Sequence, residues 1–253
     1  VGRATADPDR VESRWAGVAL LRPGVFAFRG TIGPTGRHAH HAVQVLLADT
    51  ELTVVDDGGV EHRAARMVLP ANTGHRIVAG AAMGVVVFLG PESPAGTAAD
   101  RLGRKAWEQP TVAADADLAT EFSVLTDRVI AALGPIGSSA PRHPAVVAAA
   151  AHAQAMLGDG PVRTRDLAAR VGLSAGRLTH LFTAQTGLPM RRYVLWLRLI
   201  TALRAVAAGN DLTAAAHSAG FADSAHLSRT CRAMFGLAPS TLHRSVEVSI
   251  DDR

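Results

Sequence analysis

Two stretches in the C-terminal half share one layout, and that repeat limits the chain more than any other feature. The first runs Leu167-Ala168-Ala169-Arg170-Val171-Gly172-Leu173-Ser174 and continues with Leu178, Leu181 and Phe182. The second runs Ala215-Ala216-His217-Ser218-Ala219-Gly220-Phe221 and continues with Leu227, Cys231, Met234 and Phe235. In each, a short helix ends at a glycine, which permits the positive φ of a tight turn, and a capped helix with an apolar inner face follows. Ala168 and Ala216 are small enough for two helices to approach closely. The apolar positions press the second helix of each unit onto the first and leave its other face outward. That face carries Gly176, Arg177, Thr179 and His180 in the first unit, with Thr183 at its flank. In the second it carries Ala225, His226, Ser228, Arg229 and Arg232. One such pattern arises readily by chance. Two of them, with Gly172 and Gly220 set 48 positions apart and one long helix between, are far more specific.

The surrounding punctuation predicts an all-helical segment from Pro144 onward. Pro144 suits a first helical turn, in a helix reaching about Leu157 and stopped by Gly158-Asp159-Gly160-Pro161. Thr164 is placed to cap a helix over Asp166–Val171, and Ser174 one over Ala175–Gln185. A long helix is expected over Pro189–Ala208, then short ones over Leu212–Ala219, Ser224–Phe235 and Pro239–Arg244, with glycines closing most of them.

Charge points to what the outward faces meet. Residues 141–245 carry 12 arginines and 4 aspartates, whereas residues 1–140 carry 13 basic and 15 acidic side chains. Positive charge confined to one segment fits a module that binds phosphates, although a solvated surface without a partner has the same composition. No apolar run reaches the ~18 residues of a membrane span, and Val1–Arg14 lacks the apolar stretch of a signal peptide, so no membrane partner is expected. One cysteine, Cys231, rules out an intrachain disulfide and fits a reducing, cytoplasmic setting.

Residues 144–244 resemble the DNA-binding domain of the AraC/XylS transcription regulators. The first unit carries that likeness nearly throughout, with Gly187-Leu188-Pro189 and Arg198 of the long helix. Gly220-Phe221-Ala222-Asp223-Ser224 and Phe235-Gly236-Leu237-Ala238-Pro239-Ser240 carry it further. The resemblance implies sequence-specific binding to double-stranded promoter DNA, with two recognition helices in successive major grooves about 34 Å apart. It also implies a homodimer, RNA polymerase as a neighbour on the promoter, and a small-molecule effector in the N-terminal half. Ala215, Leu227 and Cys231 depart from it, each smaller than the family's usual residue. A lost aromatic costs on the order of 1–3 kcal/mol if nothing fills the space, which predicts a looser second unit.

The N-terminal half reads differently. Between 15 and 90, short β-rich runs (24–28, 42–47, 52–55, 67–69 and 84–89) are divided by turn signals, as in a small sandwich or barrel. Residues 30–80 resemble a cupin: His38-Ala39-His40, then Gln44, then Pro70-Ala71-Asn72-Thr73-Gly74-His75. Metal-binding cupins are similar but have Glu at the position of Gln44 and Gly at that of Asn72. His38, His40 and Gln44 share parity, so on an extended segment they face one side, where His75 could meet them from a neighbouring strand. Three readings stay open for this quartet: a divalent metal site (Zn²⁺, Fe²⁺, Mn²⁺ or Ni²⁺), polar contacts to an organic effector, or structural histidines. The expectation adopted is effector contacts and no resident cofactor. His41 and His62 read as surface residues. A cupin-type metal-dependent enzyme or metal sensor is the alternative function. An attached helix-turn-helix pair serves a catalytic barrel nothing, and phosphate-loop, Gly-x-Ser-x-Gly and Cys-x-x-Cys motifs are all missing, so no enzyme is expected. Asp115 and Asp117 read as helix N-terminal charges.

The fold class expected is α+β: a cupin-like β-barrel in 1–110, a dimerisation helix and linker in 111–140, a double helix-turn-helix domain in 141–245 and a tail in 246–253. Residues 91–110 and Gly134–Pro144 read as linkers. Leu118, Phe122, Leu125, Val129 and Leu133 form a helical stripe that either packs on its own barrel or forms a dimer seam.

Overall fold

The computed structural model describes residues 15–133 and 142–251. The N-terminal segment and most of the second expected linker, residues 134–141, lie outside the described residues. Six strands come first: β1 (Ala16–Arg22), β2 (Val25–Ile32), β3 (Val43–Asp56), β4 (Glu61–Leu69), β5 (His75–Ala79) and β6 (Ala81–Leu89). Helices α1 (Pro94–Gly103) and α2 (Phe122–Leu133) follow. The helical half comprises α3 (Pro144–Ala155), α4 (Thr164–Arg170), α5 (Ala175–Thr186), α6 (Met190–Ala207), α7 (Leu212–Ser218), α8 (Ser224–Phe235) and α9 (Pro239–Ser245). A last strand, β7 (Val246–Ile250), closes the order. The α+β class and the sequence of a β-rich half before two helix-turn-helix units match the expectation.

The strands form one mixed sheet in the order β4-β3-β6-β2-β1-β7, with β5 also on β3. The long β3 changes neighbours along its length. Its first half pairs with β6 and its last residues with β5, and its register to β4 shifts between Leu47 and Leu52. Such a shift bends a strand, and here it folds the sheet around an interior. Residues 246–250, expected as a tail, instead pair in parallel with β1, from Gly17↔Val246 to Leu21↔Ile250. Residues 91–110, expected as linker, contain α1. Its start is set by Ser93, whose hydroxyl oxygen accepts from Gly96 N, and by Pro94 in the first turn.

Both faces of the sheet are buried, which is why Val43–Ala48 is apolar at nearly every position. On the outer face, Val43, Val45, Leu47, Val85, Val87 and Leu89 pack against α1 and α2. The stripe of α2 is spent there: Leu125, Val129 and Leu133 are fully buried within the one chain. The dimer-seam expectation is therefore corrected, because burial against the chain's own sheet leaves that face nothing to offer a second copy. The helix also starts later than the stripe suggests, at Phe122. Glu121 accepts from Ser123 N and Val124 N, while Asp115 and Asp117 lie in the preceding turns.

The inner face bears Ala19, Leu21, Phe26, Phe28, Leu46 and Phe88, and these pack against the second helix-turn-helix unit: Trp196, Leu199, Ala202, Phe221, Leu227, Cys231 and Phe235. The first unit has a separate core of Val146, Leu167, Leu178, Phe182, Leu188 and Tyr193. Helix α6 belongs to both, contributing Tyr193, Val194 and Leu197 to one and Trp196, Leu199 and Ala202 to the other.

Candidate nucleic-acid interface and interior cavity

Each recognition helix owes its position to local chemistry. In the first unit Gly172 turns at φ +69°, the Ser174 hydroxyl oxygen accepts from Arg177 N, and α5 ends at a left-handed Gly187. Leu178 and Phe182 are fully buried, so Gly176, Arg177, Thr179 and His180 are exposed. The Thr179 hydroxyl donates to Ala175 O and so spends its proton within the helix. In the second unit Gly220 turns at φ +77°, and Asp223 caps α8 by accepting from His226 N. Ala225, Arg229 and Arg232 are exposed, whereas His226 and Ser228 are half-buried, the former with its ring edge-on to Phe221 at 5.1 Å. His226 is thus less free for a base contact than its helical position suggests.

The second unit is seated on the sheet. Phe235 at the end of α8 meets Phe26, Phe88 and Trp196 with ring centroids 5.6, 5.3 and 6.1 Å away. Ala39 N donates to Ala233 O at 3.0 Å. The left-handed Gly236 lies so close to the 35–38 loop that a Cβ there would fall 2.7 Å from Gly36 O. The sheet's aromatic side chains thus supply bulk that Leu227 and Cys231 lack, and burial pushes the Cys231 thiol up to about 12. Between the sheet and this unit lies a cavity of about 280 Å³. Trp15, Phe26, Phe28 and Phe88 line its sheet side. Leu203, Val206, Leu212, Leu227 and Phe235 line its helical side, with Glu247 among its charged residues.

The interior histidines converge, but not by strand parity: His38 and His40 precede β3, and the chain bends at His41 and Ala42 before Gln44. His38 and His75 exchange backbone hydrogen bonds at 2.9 Å, and the ligating atoms of His38, His40 and His75 all lie within 4.8 Å of one another. Each Nδ1 meets a backbone carbonyl: Gly36 O at 2.9 Å, Ala42 O at 2.6 Å and Thr73 O at 2.9 Å. Carbonyls only accept, so in the neutral rings Nδ1 carries the proton and Nε2 is a lone pair. Burial is the first cause holding the rings neutral. It lowers His38 to about 4, helped by His40, and it lowers His40 and His75 as well. His40 Nε2 stands 2.7 Å from Gln44 Oε1, and His75 Nε2 has no hydrogen-bond partner. Of the four, His38 and Gln44 line the cavity, while His40 and His75 do not. His62 is not an ordinary surface residue either. It stacks on Trp107 at 4.3 Å between Asp56 and Glu108. The lining aromatics come from separate strands and helices, and no local pattern links them in sequence.

Residues 167–245 match the family model described as a helix-turn-helix domain, of the AraC type. No curated protein matches the chain. Among solved structures, ToxT from Vibrio cholerae is 11% identical at a TM-score of 0.58, covering 88% of this chain and 98% of that one. ToxT bound to (E)-4-(8-methylnaphthalen-1-yl)but-3-enoic acid is 10% identical at 0.55, covering 88% and 99%. Unsaturated fatty acid bound ToxT is 11% identical at 0.51, covering 92% and 97%. At these identities the likeness is one of fold. Among the described residues, no helix is long and apolar enough to cross a membrane.

Proposed function

We propose that this chain, which carries an AraC-type helix-turn-helix domain, is a DNA-binding transcription regulator governed by a small effector held between its sheet and its second unit. Helices α5 and α8 read base edges in successive major grooves through Arg177, Thr179, His180 and Arg229, while Arg232 and helix-end groups hold phosphates. It works in the cytoplasm, on promoter DNA.

One observation carries the regulatory part: a wall of the cavity is the back of a recognition helix. Leu227 and Phe235 face the cavity from α8, and Arg229 and Arg232 stand exposed on the same helix. A molecule that fills the cavity changes the free energy of that seating. Because α6 joins the core of the first unit to that of the sheet, a shift of α8 alters the spacing of the two helices. His38 and Gln44 supply the polar corner, and His40 and His75 orient them from behind. ToxT structures that hold acids with apolar skeletons support a small apolar occupant of this fold.

A divalent ion also fits the histidines chemically. Three Nε2 lone pairs and the Gln44 oxygen would hold it, and it would supply a local positive charge. With every ligand neutral, it would bind less tightly than in a set containing a carboxylate.

The reading is tested by selecting bound sequences from random DNA with the full chain, with and without cellular metabolites. Paired half-sites about one helical turn apart are expected, with affinity altered by a metabolite fraction. Equal affinity for selected and random DNA would refute it.

A further inference from the structure

The chemistry of the cavity wall narrows the effector class, resting on the reading of the cavity as the effector site. We infer that the effector is an uncharged, apolar molecule bearing a hydroxyl group, which donates its proton to Gln44.

The hydrogen-bonding sense of this corner is set by the backbone. His38 donates Nδ1–H to Gly36 O, leaving Nε2 as an acceptor. His40 donates Nδ1–H to Ala42 O, so its Nε2 is also an acceptor, yet it stands 2.7 Å from Gln44 Oε1. Two acceptors cannot share that contact. A half-turn of the amide about its last bond places the NH₂ against His40 and directs the oxygen away from it. Gln44 lines the cavity with the His38 ring beside it, so its carbonyl becomes an acceptor at one end of an otherwise apolar space. The Thr35 hydroxyl, which accepts from Ile77 N, keeps one rotatable proton. Trp15 Nε1–H is buried without an acceptor. A hydroxyl both donates and accepts, which suits this mixture.

An acid does not suit it. Among the described residues lining the cavity there is no lysine or arginine. A carboxylate entering would lose its hydration, find only the neutral Thr35 and Trp15 donors and the Gln44 acceptor, and meet no cation. In this the cavity differs in preference from the acids that ToxT structures contain.

The test uses the full chain with EDTA present and three probes of one skeleton: 2-naphthol, 2-methoxynaphthalene and 2-naphthoate. Affinity is measured by calorimetry and thermal shift. The naphthol should bind at least about tenfold more tightly than either other probe, the value of one satisfied hydrogen bond. Gln44→Leu should bring naphthol and ether within about twofold of each other, and the wild-type ranking decides the matter even if that variant does not fold. Leu227→Trp, which fills the cavity, should abolish binding of all three. If ether or acid matches the naphthol and Leu227→Trp still blocks them, the hydroxyl inference falls and the effector cavity stands. If no probe binds, or binding ignores Leu227→Trp, both fall. A naphthol preference that appears only with added Zn²⁺ overturns the inference by giving the acceptors to a metal.

Discussion

Replacing Phe235 with alanine tests the most consequential feature of the architecture, a core shared between the sheet and the second helix-turn-helix unit. The ring is 5% exposed and meets Phe26, Phe88 and Trp196 at 5.3 to 6.1 Å. Truncating a buried phenylalanine costs about 3–5 kcal/mol, and here the space vacated would join a cavity already present, where collapse is hardest. Edge-to-face pairing adds to the loss at roughly 0.5–1.5 kcal/mol per pair. A total toward the upper end, about 5 kcal/mol, is therefore expected. Hydrogen exchange locates the loss. In Phe235→Ala, amides of β2 and β6 should lose protection together with those of α8, because one core holds both. Phe182→Ala, in the first unit's separate core, should spare β2 and β6. If β2 and β6 keep wild-type protection in Phe235→Ala, the sheet and the second unit are independent and the regulatory coupling has no physical basis.

Four further outcomes are expected. Arg229→Ala and His180→Ala should each weaken specific DNA binding by ~1–3 kcal/mol and relax preference at one or two base positions; equal loss on random DNA would make them phosphate contacts. Leu125→Asp with Val129→Asp should unfold the N-terminal half rather than release monomers, since both side chains are fully buried against the sheet; a folded, dissociated product in sedimentation would restore the seam. Stability should fall with pH below the unfolded imidazole value. His38 at about 4 when folded against 6.5 unfolded means that the unfolded chain binds the extra proton in that window, so on the order of 3 kcal/mol present above pH 6.5 is lost on approach to pH 4, and a flat urea midpoint from pH 6.5 to 4.5 would contradict it. Elemental analysis of protein purified without added metal should find well under one equivalent, and a stoichiometric ion lost in His40→Ala would make the histidine cluster a metal site.

Much of the interior site could be read locally. The motif residues His38, His40, Gln44 and His75 do come together, but through a bend at His41-Ala42 and an isolated bridge between His38 and His75 rather than through alternation along one strand. What could not be read was which of these residues touch empty space. That depends on Leu227 and Phe235, far along the chain. Strand β7 was missed for a similar reason: Val246–Ile250 is short and partly exposed, and only the edge of β1 gives it a partner.

The sequence by itself determined the two helix-turn-helix units, their glycine turns, the Ser174 cap and the outward Arg177 and Arg229. Helix period, capping and positive φ act within a few residues and need no distant partner. It also determined that α2 has an apolar stripe and that the second unit has apolar positions left over. What buries them, only the tertiary structure decided. Hydrophobic burial is proportional to area and indifferent to the identity of the partner, so an apolar stripe specifies that it will be covered and not by what. The sheet covers α2 on one face and the second unit on the other, and the imperfect fit on the second face is the cavity.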